Sequence, residues 1–119
     1  MKKLAPDDRA FLVARFRQDF LLDEPPADLL AYREADGDSL LHVAAWRRDL
    51  ESARILLDAG LDPNTRGDMA QTPLHVAVSQ GDPAMFALLV SFGANTEAED
   101  EFGRLARFRG REDPATEQR

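Results

Sequence analysis

Both histidines of this 119-residue chain follow a hydroxyl side chain by three positions. Ser39 precedes His42, and Thr72 precedes His75 at the same spacing. A hydroxyl beside an imidazole is the pairing from which a nucleophile and its general base are built, and two imidazoles can serve as metal ligands. Which chemistry applies depends on the elements that hold these side chains.

The sequence lacks the additional residues that a metal site or a hydrolytic site would need beside these histidines. The two histidines are 33 residues apart in the sequence. The chain has no cysteine and no third histidine to complete a metal site. A Ser–His–Asp triad requires its serine and histidine to face an open cleft, whereas a hydroxyl three residues before a helix-starting histidine is typical of a helix cap. Phosphate-binding loops, dinucleotide fingerprints and HExxH motifs are absent from the sequence. We therefore expect no catalytic residues, no metal and no cofactor.

The segment from Thr72 to Val78 has the sequence T-P-L-H-V-A-V, which predicts the start of a helix. Thr72 is a favoured N-cap residue, and Pro73 occupies the first helical position, where a missing N–H costs nothing. The same pattern occurs 33 residues earlier, from Ser39 to Ala45. Later positions keep this offset: Leu56 and Leu57 match Leu89 and Val90, and Gly60 matches Gly93.

A period of about 33 residues with a T-P-L-H-x-A signature is typical of the ankyrin repeat, and the chain resembles that family. The resemblance implies an all-α fold, a short ankyrin-repeat solenoid of helix-turn-helix units with an N-terminal helical cap. The expected organisation is a single domain over 1–119, with an N-terminal cap at 1–32, repeats at 33–65 and 66–98, a partial C-terminal cap at 99–110 and a frayed tail at 111–119. Because about two full repeats are too few to stand alone, the terminal elements must complete the core.

The pattern also predicts individual elements. An amphipathic helix is expected over residues 7–22, further helices over about 40–47, 50–59, 72–80 and 83–92, and a last short helix over 103–109. Arg48 stands where the family usually has glycine, which predicts a left-handed backbone there, and Ala70 replaces the glycine found at Gly37. In the resembled family the histidine ring is structural and hydrogen-bonds near the loop and the neighbouring repeat, so the same is implied for His42 and His75.

The charge balance favours a protein partner over nucleic acid. The chain has 15 basic and 22 acidic side chains, a net charge of −7, which disfavours binding to phosphates and favours a partner with a basic surface. No apolar run approaches the ~18 residues of a membrane span, and Asp7 and Asp8 interrupt the start of the chain before a signal-peptide core can form. The chain also lacks cysteine, and nearly all of its basic residues are arginine rather than lysine. We therefore expect a bacterial, cytoplasmic protein that contacts no membrane.

The resemblance also implies where a partner binds, because partners of ankyrin-like stacks usually contact the loop tips and the exposed side of the first helices. Carried over by position, the protein-binding residues are Asp36, Asp38, Trp46 and Arg47 in the first repeat, Arg66, Asp68, Met69, Gln71, Ser79 and Gln80 in the second, and Glu101 and Phe102 in the partial third. Trp46, the single tryptophan, maps to the concave side inside a border of acidic side chains. The alternative is that Trp46 packs against the N-terminal helix.

The sequence thus predicts a non-enzymatic protein–protein interaction module that is a monomer when free and binds its partner through an acidic concave face. A second interpretation is an immunity or antitoxin protein that binds and blocks a basic toxin enzyme. A third is a structural scaffold without a dedicated partner. The sequence leaves the choice among these three open.

Overall fold

Five α-helices lie in the part of the chain that the computed structural model describes, residues 4–20 and 25–107. They are α1 (Pro6–Arg15), α2 (Leu40–Trp46), α3 (Leu50–Asp58), α4 (Pro73–Ser79) and α5 (Pro83–Ser91), with short 3-10 turns at Arg17–Asp19 and Asp68–Ala70. Extended pairing within these residues is limited to two isolated antiparallel bridges, Arg33 with Ser39 and Glu99 with Leu105. The fold is therefore an all-α helical-repeat solenoid, as predicted.

Two helical hairpins stack side by side in register. The α2–α3 pair and the α4–α5 pair have equivalent residues at their helix starts, and α2 packs on α4 while α3 packs on α5. This arrangement gives an inner layer of α2 and α4 and an outer layer of α3 and α5, with one core between them. The largest fully buried side chains of that core from the two pairs are Leu40, Leu41, His42, Leu56, Leu74, Val76, Met85, Phe86 and Leu89.

Side-chain caps and left-handed residues define the turns inside each pair. Asp49 Oδ1 accepts a hydrogen bond from the Ser52 N–H at 3.1 Å, and Asp82 Oδ1 accepts one from the Met85 N–H at 3.2 Å, so an aspartate caps both outer helices. Arg48 has φ 58°, which confirms the left-handed backbone predicted at this position.

The first helix is shorter than the prediction over 7–22. Helix α1 ends at Arg15, and Phe16 leaves the helical conformation with φ −108° and ψ 18°. Leu12 and Phe16 are fully buried in the same core cluster as the repeat helices, and Arg15 donates to Asp49 Oδ2 at 2.8 Å. The helix therefore ends where Phe16 enters the core, and the packing is what a cap over the first repeat requires. Residues 21 and 22 of the predicted helix lie outside the described residues.

The short helix predicted over 103–109 is wrong for its described part. Gly103 has φ 75°, and Glu99 pairs with Leu105 across an antiparallel bridge. Asp100 Oδ1 accepts the N–H groups of Phe102 and Arg104, each at 2.9 Å, and a carboxylate that binds nearby amides in this way favours a turn over a helix. Residues 108 and 109, and the predicted tail over 111–119, lie outside the described residues.

Candidate protein-interaction surface

Three loops project from the stack at equivalent positions, and we name them hairpin 1 (33–39), hairpin 2 (66–72) and hairpin 3 (99–105). In each loop, an N–H near the start donates to a carbonyl near the end: Glu34 to Asp38 at 2.8 Å, Gly67 to Gln71 at 2.8 Å and Asp100 to Arg104 at 3.0 Å. The loops are therefore narrow and alike, and their middle residues form three successive tips.

Two arginines bind successive hairpins together. The guanidinium of Arg33 donates to the carbonyl of Gly37 at 2.9 Å in its own hairpin and to that of Arg66 at 2.6 Å in the next. Arg66 repeats this arrangement one unit later with the carbonyls of Ala70 and Glu99. Arg66, predicted as a binding residue, thus has a structural position between hairpins 2 and 3.

The two histidines, which lie in the first turns of α2 and α4, bind the same loops. His42 Nδ1 accepts from the Ser39 N–H at 3.1 Å, and its Nε2 donates to the Gln71 carbonyl of the next hairpin at 2.8 Å. His75 forms the equivalent bonds with the Thr72 N–H at 3.1 Å and the Arg104 carbonyl at 2.8 Å. This pattern requires a neutral ring with its proton on Nε2. Burial lowers the pKa of His42 below its ordinary value, which favours the same neutral form.

These contacts confirm the structural role that the resemblance implied for the histidines. Both ring nitrogens of each histidine already have a protein partner. Within residues 4–20 and 25–107, no group of three or more histidine, cysteine, aspartate or glutamate side chains has the geometry to hold a metal ion. The hydroxyl–imidazole pairs that suggested chemistry in the sequence act as parts of the helix starts.

Asp38 is buried, so its prediction as an exposed acidic side chain is wrong. Only 6% of Asp38 is accessible, and its Oδ1 accepts the N–H of Asp68 in the next hairpin at 2.8 Å. The carboxylate occupies the space beside Gly67, where an added Cβ would stand 2.2 Å from Oδ1. In hairpin 3 the position equivalent to Gly67 is Asp100, so that hairpin has its own carboxylate there. Hairpin 2 lacks that side chain, and Asp38 enters the vacant space from hairpin 1.

Asp100 is a further acidic residue that sequence analysis did not select. It is buried, and burial alone would raise its pKa. Hydrogen bonds from the Arg104 and Phe102 N–H groups and from the Arg104 guanidinium outweigh burial and lower the pKa of Asp100 to about 2. The position of Asp100 before the turn glycine Gly103 was the available signal, because an aspartate at this point commonly binds the amides of its own turn.

The remaining acidic and apolar residues predicted on the hairpins are exposed at the tips. Asp36, Asp68 and Glu101 are accessible acidic side chains. Met69 and Phe102 occupy equivalent tip positions and are 41% and 61% accessible. The N–H of Glu101 donates to the Met69 carbonyl at 3.0 Å, which holds the tips of hairpins 2 and 3 side by side. Gln71 is half-buried, and its carbonyl is the one that binds His42.

Trp46 lies at the other end of the inner helix. It is 42% accessible and is the last residue of α2, so about 10 Å of helix axis separates it from the hairpin before that helix. Arg47 places its guanidinium 5.4 Å from the centre of the Phe16 ring. Ser79 is exposed at the matching end of α4, and the carbonyl of Gln80 accepts a hydrogen bond from Arg48. The acidic tips and the tryptophan are therefore at opposite ends of α2.

Described helices also bear on the membrane prediction. The longest of them, α1, has ten residues, and among the described residues no helix combines the length and apolar character that crossing a bilayer requires.

A family model described as ankyrin repeats in three copies matches residues 18–100 of the chain. The match begins inside the segment predicted as the N-terminal cap and ends within hairpin 3. It includes both stacked helix pairs and the first two hairpins in full.

Similar proteins come from bacteria, plants and animals. An ankyrin repeat-containing protein of Treponema pallidum (strain Nichols) is 40% identical over 92 residues, covering 71% of this chain and 30% of that protein. Protein phosphatase 1 regulatory subunit 27 of Homo sapiens is 36% identical over 76 residues, with coverages of 64% and 49%. Neurogenic locus notch homolog protein 2 of Homo sapiens is 38% identical over 64 residues, with coverages of 54% and 3%. The chain spans less than half the length of each of these relatives.

Proposed function

Because this chain belongs to the ankyrin-repeat family, we propose that it binds a protein partner through its hairpin tips and the exposed ends of α2 and α4. Ankyrin repeats are protein–protein interaction modules, and the family prediction made from the repeated T-P-L-H pattern is confirmed. The proposed module is non-enzymatic and forms one domain in which residues 33–65 and 66–98 are the full repeats.

The observation that carries this proposal is the exposure of acidic and apolar side chains on hairpins whose backbones are fixed by side-chain hydrogen bonds. Asp36, Asp68 and Glu101 reach solvent at three successive tips. Arg33, Arg66 and the two histidines bind the backbones of those hairpins. Binding to a surface that is already ordered loses little conformational entropy.

The charge of these tips favours a partner with a basic surface. Acidic groups on the tips attract such a partner during diffusion and speed association at low salt. The net charge of −7 acts in the same direction. Trp46, with 42% of its surface accessible, is the proposed contact at the far end of the same concave face, since tryptophan is common among residues that contribute most to binding.

The test is purification of the full chain with its bound proteins from the organism that encodes it, followed by reconstitution with the identified partner. We expect a saturable complex whose affinity falls when Asp36, Asp68 and Glu101 are changed to Asn, Asn and Gln, with the circular dichroism spectrum unchanged. A partner that binds this triple variant and the Trp46→Ala variant as tightly as it binds the parent would refute the proposed surface. Recovery of no bound protein in the purification would favour the scaffold interpretation.

The more specific alternative is an immunity or antitoxin protein that blocks a basic toxin enzyme. The acidic tips favour it, because a basic nuclease-like enzyme offers the complementary charge. We also propose a bacterial, cytoplasmic protein that is a monomer when free. A toxin-like reading frame beside the gene, and inhibition of its product by the purified chain at equimolar concentration, would support the alternative. An upstream enzyme that keeps full activity in the presence of excess chain would contradict it.

A further inference from the structure

Met69 and Phe102, which we name the apolar tip pair, are the two most prominent apolar side chains on the hairpins. They occupy the same position in hairpins 2 and 3 and are 41% and 61% accessible. The bond from the Glu101 N–H to the Met69 carbonyl, at 3.0 Å, joins the two tips. Arg66 adds bonds to the Ala70 and Glu99 carbonyls on either side. The pair is therefore held at a fixed spacing.

Hairpin 2 keeps this arrangement in spite of an unfavourable backbone. Met69 and Ala70 have φ 55° and 59°, in the left-handed region that side chains with a Cβ rarely adopt. The neighbouring hairpins use Gly37 and Gly103 at the position of Ala70, with φ 98° and 75°. A loop that only connects two helices would be more stable with a glycine or asparagine at Met69. Strain that persists at an exposed site commonly accompanies a binding function.

The charge around the apolar tip pair is acidic. Asp68 and Glu101 adjoin its two members in the chain, and Glu99 is exposed at the start of hairpin 3. The nearby arginines are already engaged: Arg66 binds the two carbonyls named above, and Arg104 Nε donates to Asp100 Oδ2 at 2.9 Å. The Arg104 guanidinium also lies 4.9 Å from the centre of the Phe102 ring. The site therefore presents two apolar side chains on hairpins that carry three accessible carboxylates, with the exposed Arg104 guanidinium over the Phe102 ring.

We infer that the apolar tip pair docks a basic segment of the partner protein, with a bulky apolar side chain of that segment packed against Met69 and Phe102. Lysine or arginine side chains on either side of that residue face Asp68, Glu99 and Glu101. The inference rests on the proposed function and names the chemistry that its hairpin contact recognises. It also makes the tip pair, which lies on hairpins 2 and 3, a binding site separate from Trp46 at the end of α2.

The experiment uses a displayed library of random linear peptides, selected on the immobilised full chain at low salt. We expect enriched peptides that combine lysine or arginine with a leucine, isoleucine, phenylalanine or methionine. Peptides synthesised from that set should lose affinity by about tenfold or more on Phe102→Ser and on Met69→Asn, which each remove one apolar anchor. Asparagine tolerates the left-handed backbone at position 69, so this variant should fold at least as well as the parent. Their affinity for the parent should fall as salt is raised.

Two matched variants make the result specific. Ala70→Gly relieves the adjacent strain and leaves both apolar side chains in place, so it should raise the melting temperature and keep peptide affinity within about twofold. Leu50→Ser removes an apolar side chain of similar exposure on α3, away from the hairpins, and should also leave affinity unchanged.

Three results overturn the inference: no enriched peptides, enrichment of acidic or uncharged peptides, or enriched peptides that bind Phe102→Ser and Met69→Asn as tightly as the parent. If peptide binding is lost instead on Trp46→Ser, the inference fails but the proposed function stands on the inner helices. If the reconstituted natural partner binds the hairpin variants (Phe102→Ser and Met69→Asn) and the Trp46→Ser variant as tightly as it binds the parent, the proposed function fails as well.

Discussion

Gly67→Ala should destabilise the fold, although it adds only one methyl group. An ideal Cβ on Gly67 would stand 2.2 Å from Asp38 Oδ1, 2.8 Å from His42 Nε2 and 2.9 Å from His42 Cε1. The backbone φ at Gly67 is −123°, outside the left-handed region, so the expected cost comes from these contacts. Asp38 must move away from the new methyl group, and its bond to the Asp68 N–H is lost.

The magnitude follows from the bonds at stake. A hydrogen bond from an amide to a charged carboxylate stabilises by about 1.5–3 kcal/mol, and the His42 bond to the Gln71 carbonyl adds about 0.5–1.5 kcal/mol if that ring also moves. Replacing glycine with alanine returns about 0.4–1 kcal/mol by restricting the unfolded chain. We therefore expect the free energy of unfolding to fall by about 0.5–4 kcal/mol, from the difference of these terms.

Urea unfolding followed by circular dichroism measures this change, and a double-mutant cycle assigns its cause. In an Asp38→Ala background the obstructing oxygen is absent and its hydrogen bond is already lost. Gly67→Ala should then cost at least about 1 kcal/mol less than it does in the parent, a coupling typical of residues in contact. An equal cost in both backgrounds, or a Gly67→Ala variant as stable as the parent, would refute the argument that Asp38 occupies this space.

Three further predictions concern the caps and the joints of the stack. Phe16→Ala removes a fully buried ring and should lower the free energy of unfolding by about 3–5 kcal/mol; a loss below about 1 kcal/mol in the same urea assay would show that the N-terminal segment does not cap the repeats. Arg66→Met leaves the Ala70 and Glu99 carbonyls without their side-chain donor and should cost about 1 kcal/mol while speeding hydrogen exchange at the Glu101 amide, whereas Arg54→Met on α3 serves as the control and should change neither. His42 has a folded-state pKa below the ordinary 6.5, so the unfolded chain takes up its proton first as the solution is acidified. Its contribution to stability is therefore complete above pH 6.5 and decreases as pH falls below that value; His42→Gln should be less stable at neutral pH and lose this part of the pH dependence.

Those parts of the fold that depend on local signals were predictable from the sequence. The caps at Ser39 and Thr72, the positions of the helix pairs and the left-handed Arg48 each follow from residues within a few positions. The repeat spacing then placed each histidine beside the next hairpin, and the resemblance supplied its structural role.

Contacts that depend on the shape of a neighbouring hairpin were not predictable in this way. The burial of Asp38 requires that Gly67, 29 positions later, has no side chain, and nothing near Asp38 indicates it. The early end of α1 likewise depends on the core space available to Phe16. The division of the candidate residues between hairpin tips and helix ends could not be read from a list of positions, because it depends on the direction of α2.

The arginine and histidine bonds between hairpins all point the same way along the chain. Arg33 and His42 donate to backbone carbonyls of hairpin 2, and Arg66 and His75 donate to those of hairpin 3. At the next equivalent positions the sequence has Glu99 and Phe108, which offer neither guanidinium nor imidazole. Within residues 25–107, each unit therefore donates these bonds to the next unit along the chain, and hairpin 3 accepts them. Local unfolding of these repeats should begin at hairpin 3 and proceed toward hairpin 1. A partner bound across hairpins 2 and 3 would then stabilise the part of the described stack that opens first.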